Sequence, residues 1–317
     1  MKRILGFLIC CAFSGTVFSQ TYPAKAIRLI VPFPPGGSND IVGRMVGQQL
    51  GERLGQSVVI DNRGGAGGTI GTDMAAKAAP DGYTLLLVSV AHAFNPAMYK
   101  KLPYDPEKAF VPIGMVAAGP VALMVHPALP VHSVAELIAL AKAKPGQLNY
   151  ATAGIGSFQH LASELFKLQT GVDMVHVPYK GGGPAMMDTI AGQAQINMAS
   201  LIQVGPHVKS GKLRLIATSG TRRSGLFPEV PTVAETVPGY DATNWWGLIA
   251  PAGTPQQVVS KLSSELEALL RSDETKKRVE SEGADIMRMT PAEFGRFIAD
   301  ETQKWAKVVK QAGITAE

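Results

Sequence analysis

Short apolar runs alternate with longer amphipathic runs along most of this 317-residue chain. The apolar runs are three to seven residues long, rich in β-branched residues, and lack regular polar alternation. They span residues 27–33, 58–60, 85–88, 121–125, 148–152, 174–177, 196–199 and 213–217. Runs of this kind are typical of buried parallel strands.

The amphipathic runs carry apolar residues every three or four positions, which predicts helices with one buried face. The clearest stripes are Val42, Val46, Leu50 and Leu54; Val134, Leu137, Ile138 and Ala141; Phe158, Leu161, Leu165 and Leu168; and Val258, Leu262, Leu266 and Leu269. Strands that alternate with helices predict an α/β fold with helices on both faces of the sheets. From Thr254 onward we expect mostly helix, packed back on the first part of the chain.

Four polar, glycine-rich loops follow predicted strands. They span residues 35–40, 62–68, 153–157 and 180–183. In doubly wound sheets, ligands bind outside the carboxyl ends of the strands, where such loops lie. Because two loops come early and two come later, the sequence predicts two lobes that each present a glycine-rich rim to a shared cleft. Residues 114–120 and 238–244 are the candidate crossover segments between the lobes.

Glycine-rich loops that open helices are natural sites for anions. The first helical N–H groups lack partners within the helix, and the helix dipole is positive there. We therefore expect a ligand carboxylate to be held by residues 36–38 of one lobe and 154–157 of the other. The alternative is that these glycines only form tight turns, and that Ser38 and Ser157 only cap helices.

Three titratable residues near these loops have two interpretations each. Asp40 could contact a ligand ammonium group, but pairing with Arg44 at i+4 in a first helical turn is favoured. Arg63 could clamp a carboxylate through two hydrogen bonds, or pair with Asp61. His160 could face the cleft, or be a partly buried histidine with a structural role.

The N-terminus has the pattern of a cleavable signal peptide spanning residues 1–19. Two basic residues precede an apolar run, 4–18, that is too short to span a bilayer comfortably. We expect cleavage after Ser19 and export of the mature chain. Both cysteines, Cys10 and Cys11, lie in this run, so the mature chain would have no disulfide, thiolate catalysis or cysteine metal ligation.

Composition and motifs exclude several other functions. Removing Lys2 and Arg3 from the 30 basic residues leaves 28 against 25 acidic residues, and no basic run suggests a nucleic-acid surface. The six histidines lack zinc spacing, and no dinucleotide fingerprint, phosphate loop or Gly-x-Ser-x-Gly elbow is present. We expect no cofactor, no metal and no nucleic-acid partner. A small-ester hydrolase using Ser157 and His160 stays open, although three residues apart in one helical turn is not a triad arrangement.

An ordered series of short motifs covers nearly the whole mature chain. The motifs are PFPPGGSND at 32–40 followed by Arg44, NRGGAGG at 62–68, PDGYTL at 80–85, LNYATAGIGS at 148–157, VPYKG at 177–181, PT at 231–232 and WGLIAPAGTP at 246–255. This series resembles the substrate-binding proteins of tripartite tricarboxylate transporters, also called Bug receptors. Any one motif would be weak, whereas the ordered set is specific. Gly43 departs from the alanine that the family usually has.

The resemblance implies a two-lobed periplasmic binding protein of the Venus-flytrap type (type II), with two doubly wound sheets and two crossover segments. We place lobe 1 at residues 20–120 and 242–317, and lobe 2 at 121–241. The resemblance also implies a monomer in the periplasm. Its ligand would be a small carboxylate, since family members bind aliphatic dicarboxylates, acidic amino acids and aromatic acids. Its partners would be the large and small membrane subunits of a tripartite tricarboxylate-type transporter.

Family ligands are held by main-chain amides, small hydroxyls and ordered waters, which implies a binding site and no catalytic residues. The predicted ligand-binding residues are Pro35, Gly36, Gly37, Ser38, Asn39, Asp40, Arg63, Ala66, Gly67, Ala153, Gly154, Ile155, Gly156, Ser157 and His160. A sensor that docks on a membrane signalling protein would have the same fold and is the main alternative. The effector domain of a transcription regulator shares the architecture, but the signal peptide and the lack of a helix-turn-helix argue against it.

Overall fold

A computed structural model describes residues 22–220, 222–281 and 283–315. The predicted signal peptide and its cleavage site lie outside these residues. The described strands are β1 (Ile27–Val31), β2 (Val58–Asn62), β3 (Thr84–Ser89), β4 (Phe110–Val125), β5 (Asn149–Thr152), β6 (Val175–Pro178), β7 (Ile196–Ser200), β8 (Arg214–Thr218), β9 (Thr243–Pro251) and β10 (Asp285–Ile286). The helices are α1 (Ser38–Leu54), α2 (Thr69–Ala76), α3 (Val90–Met98), α4 (Val134–Ala143), α5 (Phe158–Thr170), α6 (Gly182–Ile190), α7 (Leu201–Lys209), α8 (Gln256–Leu270), α9 (Asp273–Ser281) and α10 (Pro291–Ala312).

The strands form two sheets that share the long strand β4. The first sheet has the order β2-β1-β3-β9-β4, with β1 parallel to β2 and β3. In the second sheet β7 and β8 flank the end of β4, and β5 and β6 continue beyond β7. Pro120 of β4 still pairs with Thr243 of β9, whereas the next residue, Val121, pairs with Ser200 of β7. The chain therefore passes from one lobe to the other inside a single strand.

This passage differs from the sequence expectation in two ways. Residues 114–120, expected as a crossover segment, are mostly a paired part of β4 in the first sheet. Residues 121–125, expected as a parallel strand, run antiparallel to β7 and β8. The reason is that β4 enters the second sheet directly from the first, without a helical crossover to reverse its direction. Strand β9 was not predicted, because its apolar run was interpreted only as a motif.

The helices cover both faces of the sheets and bury the predicted stripes, with one exception. In α5 the buried residues are Phe158, Leu161, Ala162 and Phe166, whereas Leu168 is 44% exposed. The stripe predicted for this helix is therefore wrong at its C-terminal end, because a four-residue step from Ala162 selects Phe166 rather than Leu165.

The C-terminal helices pack on the first lobe, as expected. Trp245 and Trp305 are fully buried there, and both indole N–H groups donate to Oε2 of Glu301 at 3.0 Å. Trp305 also meets Phe158 edge-to-face, with ring centroids 5.4 Å apart, so α10 contacts the second lobe as well. Within residues 22–220, 222–281 and 283–315, every helix is too short or too polar to cross a membrane.

Candidate ligand-binding cleft

A narrow cleft lies between the two lobes, at the carboxyl ends of β1, β3, β5 and β7. The cavity inside the cleft has a volume of about 50 Å³, which is room for a few waters or a short ligand chain. The first lobe and β9 contribute Phe33, Pro34, Gly37, Ser38, Asn39, Ser89, Ala91 and Asn244. The second lobe contributes Ala153, Ser157, Phe158, Gln159, Gly182, Ser200 and Gln203.

The loop before α1 forms the first rim, and Asp40 holds it in shape. Oδ2 of Asp40 accepts hydrogen bonds from the Gly36 N–H and from Arg44, each at 3.0 Å, while Oδ1 accepts from Asn62. Burial raises the pKa of Asp40, but these three donors outweigh burial and hold the pKa below its ordinary value. Asp40 is thus a paired, structural carboxylate, and it does not line the cleft.

A second contact anchors the same rim to the last strand of the first sheet. The indole N–H of Trp246 donates to Oδ1 of Asn39 at 2.9 Å, and Trp246 is fully buried. Asn39 lines the cleft, so its orientation is set by a residue far away in the sequence. The loop geometry itself depends on Gly36, whose φ of 83° lies in the region that favours glycine.

The loop before α5 forms the facing rim. Ser157 is 4% exposed, and its Oγ accepts a hydrogen bond from the His160 N–H at 3.3 Å, which caps the helix. Capping uses the hydroxyl oxygen as an acceptor, so the O–H proton can still be donated to a ligand. Gly154 and Gly156 have φ of 121° and 73°, and a Cβ on Gly154 would lie 2.8 Å from the carbonyl oxygen of Tyr179. The turn therefore requires glycine at 154, and its left-handed backbone at 156 favours glycine.

His160 lies behind this rim rather than in the cleft. Its ring stacks on His176 with centroids 4.1 Å apart, and its Nδ1 faces the Gly156 N–H at 3.4 Å. Burial lowers the pKa of His160. Burial, together with His160, lowers the pKa of His176 to about 4. Both imidazoles are therefore neutral near pH 7, and Ser157 meets the backbone of His160, not its ring, so the two do not form a nucleophile–base pair.

The third predicted loop lies at the edge of the cleft. Nε of Arg63 donates to Oδ1 of Asp61 at 2.7 Å, and the Arg63 side chain is 48% exposed. Ala66 has a φ of 47°, and the carbonyl of Gly67 accepts from Asn95 at 3.1 Å. A Cβ on Gly67 would lie 3.4 Å from the carbonyl oxygen of Gly156, so the two lobes meet at this point.

The structure brings together only part of the predicted set. Five of the fifteen predicted residues line the cleft, namely Gly37, Ser38, Asn39, Ala153 and Ser157. The other ten lie in or behind the same loops, namely Pro35, Gly36, Asp40, Arg63, Ala66, Gly67, Gly154, Ile155, Gly156 and His160. Ligand contact by any of the fifteen stays a prediction.

Sequence reasoning missed Ser89, Gln159, Ser200, Gln203 and Asn244. A usable signal was present for Ser200, because it directly follows the predicted strand at 196–199 and ligands bind at the ends of such strands. Its loop contains no glycine, and glycine is the signal on which the predicted rims depend.

Five helices begin at the cleft. The lining residues Ser38, Ser89, Phe158, Gly182 and Ser200 each lie at or next to the first residue of α1, α3, α5, α6 or α7, respectively. None of the cleft-lining residues carries a charged side chain. The groups that favour a negative charge here are therefore backbone N–H groups and helix dipoles, each worth roughly 0.3–1 kcal/mol toward a nearby negative charge.

The fold and the cleft define a two-lobed solute-binding protein of the periplasmic binding protein type, and solved periplasmic proteins share this fold. The chain belongs to the family of tripartite tricarboxylate transporter family receptors (TctC), whose sequence model matches residues 42–314. Members of this family are solute-binding receptors rather than enzymes.

Individual relatives agree with this assignment. Protein BugT of Bordetella pertussis is 40% identical over 320 residues, covering 99% of this chain and 98% of the relative. The structure of R. palustris Rpa4515 with adipate is 37% identical, with a TM-score of 0.90, and covers 93% of this chain and 99% of that one. MatC from Rhodopseudomonas palustris with bound malate is 31% identical, with a TM-score of 0.86, and covers 91% and 100%.

Proposed function

We propose that this protein is a periplasmic receptor that captures a small organic acid in the interlobe cleft and delivers it to the large and small membrane subunits of a tripartite tricarboxylate-type transporter. The main observation that supports this proposal is that five helices begin at the cleft, while none of the residues lining it carries a charged side chain. Such a site favours an anion that can accept hydrogen bonds from backbone N–H groups and serine hydroxyls.

Two further observations support a carboxylate. Two family structures are described with adipate and with malate, which are both dicarboxylates. The cleft also lacks the arginine side chains that planar phosphate recognition often uses. Helix N-termini from both lobes contribute, so a bound anion would contact both rims and stabilise the closed form.

The binding step is tested with acids and their neutral amides. Isothermal titration of the mature chain, residues 20–317, should show binding of a short dicarboxylate and no binding of its diamide. Succinate with succinamide and adipate with adipamide are suitable pairs. Prior treatment with EDTA should leave the affinity unchanged. Equal binding of an acid and its diamide would contradict an anion site.

Two glycine variants at opposite ends of α5 provide a matched control. Gly156 and Gly171 both have left-handed backbone, with φ of 73° and 67°. Gly156→Asp puts a negative charge beside the cleft and should weaken acid binding by about 100-fold or more. Gly171→Asp adds the same charge at the far end of the helix, where a Cβ meets nothing within 4 Å, and should bind normally.

Delivery requires a separate experiment. Vesicles that contain the large and small membrane subunits of a tripartite tricarboxylate-type transporter should take up the acid only when the receptor is present. Uptake that does not depend on the receptor, combined with binding to a membrane signalling protein, would favour the sensor alternative. Size-exclusion chromatography of the mature chain should show a monomer.

A further inference from the structure

Three uncharged polar side chains form a wall on the second lobe's side of the cleft. They are Gln159 near the start of α5, Ser200 before α7, and Gln203 in the first turn of α7. Each residue is more than nine-tenths buried. Oε1 of Gln159, Oγ of Ser200 and Nε2 of Gln203 have no hydrogen-bond partner among the described residues. Buried polar atoms are normally paired, so these three indicate a missing partner.

The unpaired hydroxyl of Ser200 is informative, because two other serines that directly precede helices use their hydroxyl oxygens as helix caps. Ser133 and Ser157 each cap a helix by accepting a hydrogen bond from a backbone N–H at 3.2 and 3.3 Å. Ser200 precedes α7 in the same way, yet its side chain makes no cap. Its hydroxyl is therefore free for a ligand and is not needed to start the helix.

A glycine opposite the wall leaves space for the two amides. A Cβ on Gly182 would lie 2.8 and 3.0 Å from Oε1 and Nε2 of Gln203, and 3.3 Å from Nε2 of Gln159. Gly182 has ordinary backbone dihedrals, since its φ lies outside the left-handed region. The turn therefore does not require glycine at position 182. Because Gly182 has no side chain, both glutamines can reach the same part of the cleft.

The chemistry of the wall selects one kind of ligand group. Whichever way each glutamine amide is turned, it presents a donor and an acceptor, and the Ser200 hydroxyl can act as either. A second carboxylate only accepts, and would leave the amide oxygens without a donor. An ammonium group only donates, and no acidic side chain lines the cleft to balance its charge. A hydroxyl group both donates and accepts, and it is uncharged.

We propose that Gln159, Ser200 and Gln203 form a subsite for a hydroxyl group, and that the ligand of this receptor is therefore a hydroxycarboxylic acid. This inference rests on the proposed function, in which the helix N-termini hold the carboxylate. The wall then distinguishes a hydroxy acid from a plain acid of the same length. A plain acid would leave the buried polar atoms unpaired or bridged by poorly held water.

Titration of matched acid pairs tests the subsite. The pairs are propionate with lactate, butyrate with 3-hydroxybutyrate, and succinate with malate, so the hydroxyl is sampled at two carbons. In at least one pair the hydroxy acid should bind about tenfold or more tightly than the plain acid. Equal affinity within every pair would overturn the hydroxyl subsite while leaving the proposed function intact. If none of the six acids bound, the hydroxyl subsite would be wrong, and the adipate titration described above would still test the proposed function.

Four variants then assign the preference to this wall. Gln203→Met and Ser200→Ala should reduce the affinity ratio of hydroxy acid to plain acid to about twofold. Gly182→Ala fills the space between the amides and should do the same. Gly183→Ala is the matched control, because its added Cβ meets only the Pro35 carbonyl at 3.9 Å, and it should keep the full preference. A preference that survived in Gln203→Met, Ser200→Ala and Gly182→Ala would place the hydroxyl elsewhere.

Discussion

The Ser157→Ala substitution separates ligand binding from helix capping. Ser157 caps α5 by accepting from the His160 N–H at 3.3 Å, so its removal should cost about 0.5–1 kcal/mol of unfolding free energy. If a ligand carboxylate also accepts from the hydroxyl, the loss of that charge-assisted bond should cost a further 1.5–3 kcal/mol of binding free energy, or about 10- to 150-fold in affinity.

Ser133→Ala is the matched control for the capping contribution. Ser133 caps α4 through the Glu136 N–H at 3.2 Å and does not line the cleft. Calorimetric melting should show both variants losing at most a few degrees, while isothermal titration should show weaker binding only for Ser157→Ala. Unchanged affinity in Ser157→Ala would refute a ligand contact. A collapse of its melting temperature well beyond that of Ser133→Ala would show that the residue is mainly structural.

Two further predictions concern stability. Burial lowers the pKa of His92 to about 4, so the unfolded chain binds more protons between pH 4 and 6.5, and the free energy of unfolding should fall by about 3 kcal/mol as the pH drops through that range. Melting curves at pH 7 and 4.5 should show a smaller drop in stability for His92→Phe than for the unaltered chain, and an identical drop would contradict this. Glu301→Leu leaves the indole N–H groups of Trp245 and Trp305 without their acceptor, so chemical denaturation should show a loss of about 2–5 kcal/mol, and a loss below 1 kcal/mol would mean that other groups satisfy them.

The glycine-rich loops allowed the rims of the cleft to be predicted from the sequence, because strand, loop and helix patterns locate anion sites at helix N-termini. Ser38 and Ser157 were found in this way, and both line the cleft. The role of Arg63 could not be predicted, because a ligand carboxylate and the nearby Asp61 were both possible partners for its guanidinium group. Only the structure shows the hydrogen bond from Arg63 to Asp61.

Other parts of the site depend on contacts distant in sequence. Gln203 lies in a helix whose turn has no glycine signal, and it lines the cleft only because β7 enters the second sheet beside β4. The burial of His160 likewise depends on His176 of the neighbouring strand β6. Local periodicity carries no information about which strands become neighbours, so these residues could not be identified from the sequence.

The position of β9 has a consequence for the order in which the molecule can fold. This late strand lies between β3 and β4, so the first sheet stays split into two unpaired edges until residues 243–251 have been synthesised. The strands β4 to β8 of the second lobe are complete well before that point. Because β9 also carries Trp246, whose indole fixes Asn39 at the rim, only a chain synthesised beyond residue 251 can assemble the cleft. Nascent chains, and chains truncated before β9, would therefore expose sheet edges and bind no ligand.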